Sequence, residues 1–242
     1  KKEAFRECKS LKHVEIPSSV TEINDNAFER CSSLKELIFQ SPSSLTDIGH
    51  KVFLKCSSLT EVNIPSSVTY CGMDLFCDCI KLKKVVIPSS ITEISTNMFR
   101  GCISLTKIEI PNSVIRIGYS SFKDCKSLVK ISIPSSVTMI GNSSFEGCLS
   151  LKYINIPPCL TKITESMLRM CTSLEQIKIP SAVTEISSYA FKKCNSLKHV
   201  EFEEPSSLIT IKDYAFCDCE SLENITFPSS VKDVSKYALS KH

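Results

Sequence analysis

Apolar residues return along this chain at fixed steps. Phe5, Phe28, Phe53, Phe76, Phe99, Phe122 and Phe145 are followed by Leu168, Phe191, Phe216 and Leu239, spaced by 23 residues except for two steps of 25. Three residues after each of the first ten stands a cysteine, from Cys8 and Cys31 to Cys194 and Cys219, and three further on a leucine, from Leu11 to Leu222. An aliphatic residue follows at the next third place and Ile or Phe at most of the positions two beyond. Each unit therefore reads F-x-x-C-x-x-L-x-x-[VIL]-x-[IF]-P-S-S-[VIL]-T-x-I. The alternation at the end of L-x-x-V-x-I, rich in β-branched residues, predicts a strand with one buried face. Proline, lacking an N–H and fixed in φ, ends that strand in most units. The following V-T-x-I is long enough for a second short strand on the opposite side. The apolar spacing of three around the marker Phe predicts a turn of 3₁₀ or α helix there.

A unit this short buries no core alone, so neighbours must stack. The expected fold is a β-rich solenoid of about ten coils of 23 residues (two of 25), with a parallel sheet on one face and short helical turns. At the strand spacing of about 4.8 Å, ten coils make a stack of roughly 48 Å. The two longer units place their extra residues in surface turns, Phe39-Gln40-Ser41-Pro42 and Phe202-Glu203-Glu204-Pro205, where added length costs little. No composition shift or linker divides the chain, so residues 1–242 are expected to form one array.

The units resemble leucine-rich repeats of the BspA-like (treponemal-type) family. Two segments that carry the likeness are Ala27-Phe28-Glu29-Arg30-Cys31-Ser32-Ser33-Leu34 and Ile64-Pro65-Ser66-Ser67-Val68-Thr69. The resemblance covers essentially the whole chain. It implies a surface or secreted protein, an adhesin binding host extracellular-matrix proteins or other cells, and binding in place of catalysis. The repeat signature consists of core residues, so no ligand is carried over with it. A structural scaffold repeat in a larger intracellular or cytoskeletal assembly is the competing expectation, with a cytoplasmic location. The chain begins mid-unit at Lys1 and ends mid-unit at His242 without polar caps, which leads us to expect a fragment of a longer array or ends covered by a partner. Uncapped edges also invite end-to-end contacts.

Composition removes several functions. The net charge of +3, from 29 basic and 26 acidic residues, is too even for nucleic-acid binding. No apolar run approaches the roughly 20 residues of a membrane span, and the start of the chain shows no signal peptide. There is no P-loop, no G-x-G-x-x-G and no H-E-x-x-H, and His13, His50, His199 and His242 are scattered, so no enzyme activity and no cofactor are expected.

Fourteen cysteines raise disulfides, metal and catalysis as alternatives. Ten recur at the core position of successive coils, where in-register side chains point the same way, which suits a ladder of free buried thiols better than bridges. Cys71 replaces the Ile of V-T-x-I and is expected to be buried. Cys77 and Cys217 each follow the marker Phe in a Phe-Cys-Asp-Cys segment and, like Cys159 in a turn, are expected to be exposed and oxidisable. The C-x-C pairs lie six coils apart, too far to complete a four-ligand metal site, so no metal is expected.

With the core columns assigned, binding falls to the outward columns of the sheet, the seventh, eighth and tenth residues after each marker. The four middle coils carry five Lys (Lys83, Lys84, Lys107, Lys130, Lys152) against Glu109 alone, whereas three coils on either side carry two Lys and three Glu each. The middle coils also hold Tyr153, with Val86 and Val129 nearby. Lys83, Lys84, Val86, Lys107, Val129, Lys130, Lys152 and Tyr153 thus form the candidate docking patch on the inner curve, suited to an acidic protein or glycan. A solvated lysine face that resists sheet aggregation is the alternative reading.

Overall fold

Alternating burial along the repeat produces the two strands it predicts. The computed structural model describes residues 2–240; Lys1, Lys241 and His242, and with them the expectations placed on the chain's ends, lie outside the described residues. The first-face strands are His13–Ile16, Glu36–Phe39, Glu61–Asn63, Lys84–Val86, Lys130–Ile131, Tyr153–Ile154, Gln176–Ile179 and His199–Phe202. The second-face strands are Glu22–Ile23, Asp47–Ile48, Tyr70–Cys71, Glu93–Ile94, Arg116–Ile117, Met139–Ile140, Lys162–Ile163, Glu185–Ile186, Thr210–Ile211 and Asp233–Val234. Every pairing is parallel and joins equivalent positions of successive coils, for example Val14 with Leu37 and Ile186 with Ile211. The result is a parallel β-solenoid with one continuous hydrophobic core.

The core is a set of columns. The marker phenylalanines stack ring on ring, with centroids 5.1 Å apart at Phe5–Phe28 and 5.8 Å at Phe76–Phe99; Leu168 interrupts the column, and Phe191–Phe216 resumes it at 5.0 Å. Nearly parallel rings at this spacing overlap in an offset stack, the arrangement their quadrupoles favour. Beside them run the cysteines and leucines of the repeat, buried from Cys31 and Leu34 onward.

The segment around each marker is not helical, which corrects the expectation from its spacing of three. It is a run of tight turns with left-handed residues two positions before and two after the marker, such as Asn26 and Arg30 around Phe28 (φ 57° and 60°). A left-handed residue ends helix propagation at each point, so the backbone turns its N–H groups along the stack instead. The N–H groups of Asn26, Phe28 and Arg30 donate to the carbonyls of His50, Val52 and Leu54 in the next coil, at 2.9, 3.0 and 2.7 Å. The marker N–H makes this bond in every coil from Phe5 to Phe216, so the turn face is stitched without a break.

The two sheets, in contrast, are segmented. The first face pairs coils 1 with 2, 3 with 4, 6 with 7 and 8 with 9; coil 5 contributes only the isolated Lys107–Lys130 bridge. Among the described residues the second face is open only between Tyr70–Cys71 and Glu93–Ile94 and between Met139–Ile140 and Lys162–Ile163. Among the described residues no junction is open on both faces. Ser41–Pro42 and Glu204–Pro205, in the two longer coils, are cis peptides.

Candidate functional site

Strand alternation turns the eighth and tenth residues after each marker away from the core, the seventh precedes the strand, and on the first face all three reach solvent. Lys83, Lys84, Val86, Lys107, Val129, Lys130, Lys152 and Tyr153 are all exposed there, so the structure brings the predicted patch residues to one surface. Val86, Val129 and Tyr153 are 45%, 44% and 46% exposed.

The eighth position forms a column whose chemistry follows the segmentation of the sheet. From coil 1 it reads His13, Glu36, Glu61, Lys84, Lys107, Lys130, Tyr153, Gln176, His199 and Asn224. Where neighbours attract, the strands pair. His13 Nδ1 lies 3.0 Å from Glu36, Glu61 pairs in register with Lys84, and the Lys130 ammonium stands 5.1 Å from the Tyr153 ring centroid. Where neighbours repel, pairing fails: Glu36–Glu61 and Lys84–Lys107 are open, and Lys107–Lys130 keeps a single bridge. Like charges placed directly opposite weaken the ladder at these three junctions, but they do not open one by themselves: Glu22 and Asp47 stand opposite each other on the second face and pair in register. The open junctions at Tyr153–Gln176 and His199–Asn224 carry no like charges, and nothing in the side chains explains them.

Openings on both sides of coil 5 leave clefts of about 600 Å³, between residues 83–87 and 106–112, and about 640 Å³, between 106–112 and 129–134. Their rims carry Lys83, Lys84, Lys107 and Lys130 together with Val86 and Val129. Glu109 is held below the usual carboxylate range by its hydrogen bond to the Lys107 ammonium at 2.7 Å. The flanks neutralise themselves. Lys178 reaches Glu201 at 3.1 Å and Glu203 at 3.3 Å, which raises its pKa, and Gln40 donates to Glu15 at 2.7 Å. The basic excess is therefore local to the middle coils.

The thiols sort differently from the sequence expectation. Cys71 is buried as its Ile-like position implies. Cys77 and Cys217, expected to be exposed, are buried too, outside the continuous core cluster, although Arg6 and Arg100 at the same repeat position are exposed. Burial, with Asp78 and Asp74 adding to it, pushes the Cys77 thiol up to about 12. Cys8 and Cys159 are the exposed thiols. Nine column cysteines, Cys31 to Cys219, donate Sγ–H to the marker carbonyl of the preceding coil at 3.0–3.2 Å. No group of three or more His, Cys, Asp or Glu side chains converges on a metal-sized site among the described residues.

Sequence reasoning missed two buried carboxylates on the turn face. Glu146, 7% exposed, lies 2.9 Å from Lys123 and 3.3 Å from Arg169, and Glu29 lies 3.1 Å from Arg6. It also missed the stacked Tyr189, Tyr214 and Tyr237, 5.2 and 5.4 Å apart, whose recurrence at one repeat position was the available signal.

Stacked coils, parallel strands and a core of repeat residues define a solenoid of the leucine-rich repeat class. The chain belongs to the BspA-type leucine-rich repeat family: the model described as "BspA type Leucine rich repeat region (6 copies)" matches residues 1–106, 92–205 and 201–242. Among solved structures it is similar to a leucine-rich repeat protein from Bacteroides ovatus, with 31% identity and a TM-score of 0.76 over 92% of this chain and 53% of that one. This chain thus spans about half the length of that protein. It is similar in fold to the T. pallidum leucine-rich repeat protein, at 23% identity and a TM-score of 0.53 over 88% of this chain and 84% of that one. It is also similar to the pneumococcal vaccine antigen PcpA, at 26% identity and a TM-score of 0.56 over 91% of this chain and 52% of that one. No curated protein matches the chain. No helix among the described residues is long and apolar enough to cross a membrane.

Proposed function

We propose that the chain is a non-enzymatic protein-binding module, the repeat region of a cell-surface or secreted adhesin that docks host proteins or other cells on its first sheet face. The observation that carries this reading is the patch itself: five lysines with a single carboxylate among them, beside three exposed apolar side chains, on a surface the core does not require. Uncompensated charge of one sign steers a partner of the opposite sign, and exposed apolar side chains supply contact area. Membership of the BspA-type family and likeness to a bacterial antigen support it.

The test is capture of extracellular-matrix proteins and whole cells by the chain and by a variant with Lys84, Lys107 and Lys130 replaced by Glu. Capture by the native chain and its loss in the variant is the expected result. Equal capture by both counts against the patch, and capture by neither counts against the adhesin. A scaffold role inside a cell is favoured by one observation, the Sγ–H donors of the cysteine column, which require reduced thiols. Labelling of Cys159 on intact cells by a membrane-impermeant thiol reagent separates the two locations.

A further inference from the structure

We infer that the Lys84–Lys107–Lys130 column is a docking strip for an extended acidic polypeptide segment in which carboxylates alternate with apolar side chains. The inference rests on the protein-binding reading above and names the chemistry of the partner.

Three observations converge on it. The lysines occupy one column in successive coils, with Glu109 engaging Lys107 and Glu61 opposite Lys84 as the carboxylates beside them. The sheet is open or barely bridged at both junctions between them. In the free protein two carboxylates thus stand beside three ammonium groups, whereas the flanking coils carry counter-charges at His13–Glu36 and Lys178–Glu201. Carboxylates set between the ammonium groups remove the like-charge repulsion across these junctions, so binding and tighter pairing of coil 5 reinforce each other.

The apolar neighbours decide the kind of polyanion. Val86, Val129 and Tyr153 border the lysines and are nearly half exposed. A uniformly hydrophilic polyanion leaves them in water, whereas a polypeptide alternating acidic and apolar residues covers them. The lengths agree. Same-side residues of an extended segment repeat every ~6.6–6.8 Å, so three carboxylates span about 13 Å, while three lysines two coil steps apart span about 10 Å at paired-sheet spacing and more where the ladder is open.

The probe is an end-blocked peptide of alternating glutamate and valine, added to the full chain and followed by fluorescence anisotropy and amide hydrogen exchange. The expected result is saturable binding that weakens roughly tenfold as added salt screens the charges, with slower exchange at residues 107–110. Lys107→Glu is expected to abolish peptide binding and to slow the same amides without peptide, because it turns two repulsive junctions into attractive ones. A second variant, Val86→Ser with Val129→Ser, is expected to weaken the peptide several-fold. Failure of the native chain to bind the peptide overturns the inference. So does heparin binding that displaces the peptide and is indifferent to the valine variant, which assigns the strip to a sulfated glycan. A matrix protein that still docks on the sheet face of Lys107→Glu overturns the inference while leaving the protein-binding reading standing.

Discussion

The thiol of Cys125 donates to the carbonyl oxygen of Phe99, 3.2 Å away and 26 residues earlier, and that oxygen also accepts the backbone N–H of Cys102 at 3.1 Å. The marker carbonyl thus binds its own coil and the next. Cys125→Ala removes the thiol donor and the sulfur volume and is expected to cost about 1–3 kcal/mol in urea unfolding. Cys125→Ser keeps a donor and is expected to lose less. Equal losses in the two variants mean the thiol acts by volume alone.

Alkaline pH is expected to unfold the chain. Burial raises the thiols of Cys31 to about 11 and of Cys71, Cys77 and Cys219 to about 12, and pushes Cys79, Cys102, Cys125, Cys171 and Cys194 well above 9.0. The folded state therefore holds protons that the unfolded state releases near pH 9. Stability is full below that value and falls as pH rises toward the folded-state pKa values, by about 1.4 kcal/mol per pH unit for each such thiol. Circular dichroism against pH checks this; a chain whose melting temperature is constant from pH 8 to pH 10.5 contradicts it.

Thiol labelling separates the exposed from the buried. Native protein treated with iodoacetamide near pH 8 is expected to modify Cys8 and Cys159, while Cys77 and Cys217 react only after denaturation. Peptide mass spectrometry reads the sites, and rapid native labelling of Cys77 contradicts its burial.

Glu146 holds Lys123 and Arg169 in one cluster from a nearly buried position. Glu146→Ala leaves two cations without their shared partner, at an expected cost of about 1–3 kcal/mol, reduced from the fully buried case because both cations touch water. Glu146→Gln is expected to fall between. A thermal melt unchanged in Glu146→Ala shows that the cluster contributes nothing.

Much of this fold is legible in the sequence because repetition converts one pattern into ten positions. The Leu and Ile columns, both strands and the outward lysines follow from alternation alone. The turn face does not: a spacing of three suits a helix as well as a turn, and the left-handed residues include Lys51, Met170 and Tyr189, which announce no such conformation. Cys77 and Cys217 were misplaced for that reason, since their direction depends on this turn. In the site, the residue types at Lys84, Lys107 and Lys130 were visible. The opening of the sheet was not, because pairing depends on what stands opposite in the next coil.

Staggering of the open junctions bears on how the chain responds to force and heat. Like vertical joints in a brick wall, the gaps of one face are bridged by intact courses on the other, and the turn face runs through all of them. We propose on this basis that the array has no cleavage plane and melts as one unit, with calorimetric and van't Hoff enthalpies in agreement. Two separate transitions contradict this. In a wall bonded in this way, tension along the stack meets hydrogen bonds on at least one sheet face and on the turn face at every junction among the described residues.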